Sequence, residues 1–477
     1  MLTGSIDKFM KYWPDIYFIS EELMSFKQLL TLTMFIALSI PINAHAQTLE
    51  FQINYEIKEH HRDKISQSAK TKIKTKKGQT TITLEPRIIS VRSGNYEKIY
   101  DFGQNTVASV DHDKQQYTRT SLYAIPAFKD YEKRNRKILS KVMQKAGINA
   151  LETNQFELEM IFGGDINGSV AKNIESKDAG KIHKLYYKDE NIASYELSEQ
   201  RIPSNLTDIY KKYLTYEYRI HPVIVEKLTD KGFIFHSLKY RNKQEIPYLT
   251  ENVYMLTASD SKTEGIISIP KNYQENYASD KRLDKIIKLS TIKENSVDYY
   301  ASQMNTLWDK KKYLEASLLF HEYSIHHGLK DFNKIKPAVQ RLFKEAPPES
   351  GIKNLTAAIT QQPSSKKKIR QAIEIIERAQ KQSSSHGYVL NIYLANYYGA
   401  IGQNKKAIDL ILMALEQNPF LTGAYKDLGD KYFKSYQMPN AWASWDHMQR
   451  INPDHQLVPV IQNFEKKIKK RHPEHFQ

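Results

Sequence analysis

Cysteine is absent from all 477 residues, and that single absence closes several routes at once. No disulfide, thiol nucleophile, thiolate metal site or lipid-modified N-terminal cysteine is open to this chain. Redox chemistry therefore says nothing about its compartment. Nucleotide and acyl-transfer signatures are missing too: no G-x-S-x-G, no G-x-x-x-x-G-K-[ST] and no G-x-G-x-x-G occurs. The apolar run Leu29 to Ile42 falls short of the roughly 20 residues that span a bilayer. It follows Lys27, is broken by Pro41, and leads to Ala44-His45-Ala46. A positive start, a short apolar stretch and an A-x-A site predict a signal peptide over 24–46, beginning at Met24 and cleaved after Ala46. Residues 1–23 then read as a translated upstream extension, and the mature chain is expected in the periplasm or outside the cell.

What is present is basic. Lys and Arg number 70 against 54 Asp and Glu, a formal charge of +16, and loss of 1–46 makes the remainder one unit more basic. For an exported chain the nearby anions are lipid headgroups, surface polysaccharide and acidic partner proteins; no nucleic-acid partner is expected. The proportions of apolar (40%) and charged (26%) residues are those of an ordinary globular protein with two to three domains.

From Gln47 to about 275 the pattern alternates. Leu49, Phe51, Ile53, Tyr55 and Ile57 interleave with Glu50, Gln52, Asn54 and Glu56, the signature of a half-buried strand. Lysines 70, 72, 74 and 76 share one strand face, as an edge protected from mispairing would. Further strands are expected through 120, then one basic helix from Phe128 to Ala146, then strands to 256, including Leu214–Ile220 and Val223–Leu228. Asp111-His112-Asp113 and the glycine-rich 162–168 read as turns. Ile99-Tyr100-Asp101-Phe102, Val110-Asp111-His112 and Gln116-Tyr117-Thr118, followed by the basic helix, resemble the unclosed β-barrels of periplasmic lipoprotein carriers. That resemblance implies a curved sheet whose hollow holds an acyl chain or is filled by side chains.

From about 295 the period becomes helical and the sequence repeats. Tyr425-x-x-Leu428-Gly429-x-x-Tyr432, Ala441-x-x-x-Trp445 and Pro453 stand thirty-four residues after Asn391-x-x-Leu394-Ala395-x-x-Tyr398, Ala407-x-x-x-Ile411 and Pro419. This resembles the tetratricopeptide repeat family. The resemblance implies stacked helix pairs, with Ala316-x-x-x-Phe320 and Ala372-x-x-x-Ile376 as degenerate copies and Val458 to Lys470 as a capping helix. It also implies a concave groove lined by Tyr393 and Asn396 from one repeat and by Lys426 and Asp430 from the next.

His321-Glu322-Tyr323-Ser324-Ile325-His326-His327 looks like a zinc-protease helix but puts its second histidine five residues on, off the first one's face. It reads as a solvated helix end, and His60-His61 as a turn. No catalytic residue, metal or cofactor is assigned. The expected fold is α+β: an antiparallel, partly open β-barrel-like domain at 47–275 with one inserted helix, a connection at 276–294, and a tetratricopeptide-like α-solenoid at 295–477. The expected function is a non-catalytic scaffold that binds an envelope polypeptide. The alternative is a carrier of a lipid or other apolar ligand in the β-domain.

Overall fold

The structure, a computed structural model, describes residues 48–62, 72–145, 169–244, 249–262, 267–290, 296–328, 331–360 and 365–476. The expected signal peptide, upstream extension and 162–168 turn lie outside these residues.

Strands β1 (Leu49–Arg62), β2 (Lys72–Glu85), β3 (Ile88–Ser93), β4 (Tyr96–Asp101), β5 (Thr106–Asp111) and β6 (Gln116–Ser121) form an antiparallel meander. Helix α1 (Ala124–Lys145) follows, and a second meander comprises β7 (Ile174–Ala179), β8 (Ile182–Tyr187) and β9 (Glu190–Arg201). Two helices, α2 (Thr207–Tyr218) and α3 (Pro222–Thr229), interrupt it before β10 (Phe233–Gln244) and β11 (Leu249–Lys262). β11 pairs with β1 and so joins the meanders into one twelve-stranded sheet. The twelfth strand, β12 (Gln274–Asn276), lies parallel to β6. The sheet is open, with β12 and β7 at its ends.

The alternation read in β1 holds as far as Asn54, with Phe51 and Ile53 buried while Gln52 and Asn54 face water; Tyr55, Glu56 and Ile57 are all half-buried. His60-His61 continues β1 rather than turning. β3 pairs only with Thr81–Glu85, so the lysine-rich start of β2 is paired on the β1 side and forms an edge. There Lys76 and Lys77 reach Glu59 and Glu56 across the pair at 2.6 and 2.9 Å. Asp111 caps the turn after β5, accepting from the Lys114 amide at 3.0 Å.

Leu214–Tyr218 and the segment 223–228 are helical, not extended, so the β-domain carries more than one helix. Their tyrosines and β-branched residues favour strands locally, but Ile209, Tyr210, Tyr213 and Leu214 repeat at helical spacing and bury one face. Pro222 sits in the first turn of α3, and His221 caps it by accepting from the Val223 amide. Both helices pack in the core with Phe51, Ile82, Leu84, Leu238 and Tyr240. Phe51 meets Tyr213 edge-on at 5.8 Å.

The described part of the expected connection, residues 276–290, packs into the helical core. Helix α4 (Lys281–Leu289) buries Leu283, Ile286 and Ile287. Asp280 caps it and accepts from the Tyr432 hydroxyl at 2.8 Å. Helices α5 (Val297–Asp309), α6 (Tyr313–His327) and α7 (Phe332–Glu345) follow. Then come three helix pairs in series: α8 (Ile352–Thr360) with α9 (Lys366–Gln382), α10 (Leu390–Ala400) with α11 (Asn404–Gln417), and α12 (Thr422–Lys434) with α13 (Met438–Ile451). Helix α14 (Val458–Arg471) ends the array.

The spacing is visible in the elements themselves, since α11 and α13 begin and end thirty-four residues apart. Leu394, Tyr398, Ala407, Leu428, Tyr432, Ala441 and Trp445 are all buried. Gly429 is required: a Cβ there would stand 2.2 Å from Trp445 Nε1, which donates to the Lys426 carbonyl. Pro419 and Pro453 sit in the turns that end each pair, and Pro419 accepts from the Tyr425 hydroxyl at 2.8 Å.

The two halves meet at the C-terminus. Tyr216 donates to the His475 carbonyl at 2.9 Å, and Arg471 pairs with Asp130 of α1 at 2.6 Å. Tyr123 stacks obliquely on Phe476 and Tyr131 on Phe433.

Candidate functional site

Helix α6 is buried on every side, from Glu315 to His327. An interior helix normally carries apolar residues all round, yet this one contains two glutamates and three histidines. The reason is what it touches. The turns that precede α10, α12 and α14 recur at the repeat interval, and α6 lies across all three. Ala316 and Phe320 lie on the second helix of the α5–α6 pair, buried in one core with Tyr300.

At its start, Glu315 faces the turn after α9. Its carboxylate accepts from Ser383 Oγ at 2.9 Å, the Ser384 amide at 2.6 Å, Ser385 Oγ at 2.7 Å and the His386 amide at 3.1 Å. Burial alone would raise its pKa; these donors overcome that and hold it at about 2. Two turns on, Glu322 accepts from Tyr300 Oη (3.1 Å) and Asn418 Nδ2 (2.9 Å) on one oxygen. The other oxygen takes His386 Nδ1 (3.0 Å) and Tyr388 Oη (2.6 Å). Here too burial pushes the carboxyl up, and the His386, Tyr388 and Tyr300 donors bring it below its ordinary value. At the far end, His326 bonds the Phe420 carbonyl, and the Asn452 amide donates to the His326 carbonyl at 3.2 Å.

Above Glu322 lies an open cavity of about 300 Å³, walled by Tyr299, Tyr300, Tyr388, His386 and Asn418. Three of its ten lining residues are tyrosines, and two of these, Tyr300 and Tyr388, hold the Glu322 carboxylate through their hydroxyls. With both oxygens holding two donors each, the group is a fixed negative charge and a poor proton acceptor.

The expectation of a solvated end at 321–327 is overturned by this burial. His321 and His326 face different partners: His321 Nδ1 meets the Tyr393 hydroxyl at 2.9 Å, while His326 turns to Phe420. Burial lowers both imidazoles to about 4. Among the described residues no group of three or more His, Cys, Asp or Glu side chains is placed to hold a metal.

The expected groove residues divide. Asn396 is exposed and donates to Asp427 across two helix pairs at 3.2 Å. Lys426 pairs with Asp430 one turn on at 2.7 Å. Tyr393 does not line a free groove: it is buried, held by its bond to His321 beneath α6. Sequence reasoning missed Asp427, Tyr300, Tyr388, His386, Asn418 and the serine run. The signal that existed was Ser383-Ser384-Ser385 beside a histidine, too polar for a helix and able to satisfy a buried anion.

No family model matches the chain, and no curated protein matches its sequence. Among solved structures the chain is similar to one described as "lipid-protein interactions in lipovitellin", at 8% identity and a TM-score of 0.17, over 87% of this chain and 50% of that one. The chain thus spans half the length of that structure, and a likeness at this score contributes nothing to the reading of the site.

Proposed function

We propose that this chain is an exported, non-catalytic protein that binds a polypeptide of the cell envelope, and that its serial helix pairs are tetratricopeptide repeats. The thirty-four-residue interval of the pairs and the close Gly429–Trp445 contact support the repeat assignment. The observation that carries the function is the cavity at Glu322, where a buried, fully hydrogen-bonded carboxylate shares the lining with Tyr299, Tyr300 and Tyr388. An anion within an aromatic wall favours a cation such as a lysine or arginine side chain, through charge and ring quadrupole together. The polar strip of Asn396, Asp427, Lys426 and Asp430 suits the rest of an extended, hydrophilic segment.

The test is titration of the intact chain with short lysine- or arginine-containing peptides against the same peptides carrying norleucine. Binding of the basic peptides alone, weakened about tenfold or more in Glu322→Gln, is the expected result. Equal binding of the norleucine peptides removes the cation site, and no binding of either by a folded protein removes the reading.

The carrier alternative draws on the open antiparallel sheet. Against it stands the packing of α2 and α3 with the sheet, where Tyr210 and Tyr213 are fully buried, so an apolar ligand would have to displace them. Native mass spectrometry separates the two: a stoichiometric polypeptide supports the scaffold, a lipid-sized mass the carrier.

A further inference from the structure

Helix α1 is fixed to the body through its first half. Asp130 pairs with Arg471, Lys129 donates to His475 Nε2, Tyr131 packs on Phe433 and Tyr436, and Asn135 bonds the Tyr436 hydroxyl. Its second half is different in kind. Past Asn135, from Arg136 to Lys145, the sequence carries four cations and no acidic residue. Ile138 and Val142 stand one turn apart and are 55% and 57% exposed. Helical periodicity sets them beside Arg134, Lys141 and Lys145, which are also exposed.

Two neighbouring β-branched apolar side chains open to water, within a field of one sign, need an environment that rewards both. A polyanionic backbone rewards only the lysines and arginines. A protein groove would reward the apolar pair but demands a run of acids to match the cations. An anionic bilayer satisfies both at once, because its headgroups take the cations while short apolar side chains enter the acyl boundary. The neighbouring helix α14, which packs on α1, adds exposed Lys466, Lys469 and Lys470.

We infer that the second half of α1, from Arg136 to Lys145, is a peripheral docking helix for an anionic lipid surface. It lies along the interface rather than crossing it; among the described residues no helix is long and apolar enough to span a membrane. Polypeptide binding at Glu322 and lipid docking at α1 involve separate residues, so either can fail alone.

Flotation of the intact chain with vesicles tests this. Vesicles of phosphatidylcholine alone are compared with vesicles in which about one third of the lipid is phosphatidylglycerol. Partition onto the anionic vesicles should exceed that onto the neutral ones by about tenfold or more. Ile138→Asp with Val142→Asp should reduce it about tenfold, and Lys137→Glu with Lys141→Glu likewise. Each side chain is exposed, and an unchanged thermal transition confirms that both variants fold. Equal partition onto neutral vesicles, or parental binding by both variants, overturns the inference. So does binding to an oligonucleotide without binding to vesicles, which assigns the cations to a phosphate backbone instead.

Discussion

Replacing Glu315 with Gln keeps the shape of a side chain that four neighbours grip and removes its charge. The carboxylate is buried and accepts from three serine hydroxyls and two backbone amides. Its pKa falls from 4.5 to about 2 in the fold. A group depressed in this way adds stability that is complete above its unfolded value and disappears as pH drops through its folded one. The shift of about 2.5 units corresponds to roughly 3 kcal/mol at pH 7, of which about 2 kcal/mol has gone by pH 3. Glutamine retains one acceptor and turns an NH2 toward donors, so Glu315→Gln should cost on the order of 3 kcal/mol at neutral pH. Urea titration followed by far-UV circular dichroism, at pH 7 and again at pH 3, measures both values. The gap between parent and variant should narrow by about 2 kcal/mol on acidification. Because the difference is taken between two proteins, other carboxylates cancel to first order. A gap that is negligible at pH 7, or one of the same size at both pH values, refutes the reasoning, since either means that solvent and not the serine turn governs the carboxylate.

Lys129 is buried against His475, and burial, aided by the charge of Arg219 and opposed by Glu474, lowers its pKa to about 8. The unfolded chain therefore holds the extra proton between pH 8 and the ordinary lysine value of 10.5, so stability rises with pH across that window and is level below it. Lys129→Met should raise the melting temperature at pH 7, by up to about 3 kcal/mol in stability, and abolish the alkaline rise; a lower melting point would contradict this. Gly429→Ala forces a Cβ to within 2.2 Å of the Trp445 indole and should cost about 1–3 kcal/mol, with a shift in tryptophan emission that an unstrained site would not show. Tyr393→Phe leaves the buried His321 Nδ1 without its hydroxyl partner and should destabilise by about 1–3 kcal/mol; no change in the denaturation midpoint would put Tyr393 outside the core contact described.

Much of the architecture is legible in sequence because it rests on local periodicity. Alternation in β1 and the helical spacing of Leu428, Tyr432, Ala441 and Trp445 each follow from burying one face of one element. So does the order of an open antiparallel sheet before a run of helices. Legibility fails where a local preference and a tertiary one disagree. Tyr210, Tyr213, Tyr216 and Tyr218 have strand-forming side chains, yet they pack as helix against a sheet assembled from strands far away in the chain. It fails again where function is concerned. Glu322 meets His386, Tyr388 and Asn418 from 64 to 96 residues away, and nothing in any one segment pairs them. By itself the sequence determined composition, charge, the alternation and the repeat, because each is a property of neighbours along the chain. Only the tertiary structure decided that α6 crosses the turns of the array, that Tyr393 lies inside, and that a buried carboxylate is held by tyrosine hydroxyls. Those depend on which surfaces are left to cover once the helix pairs have stacked, and long-range packing alone settles that.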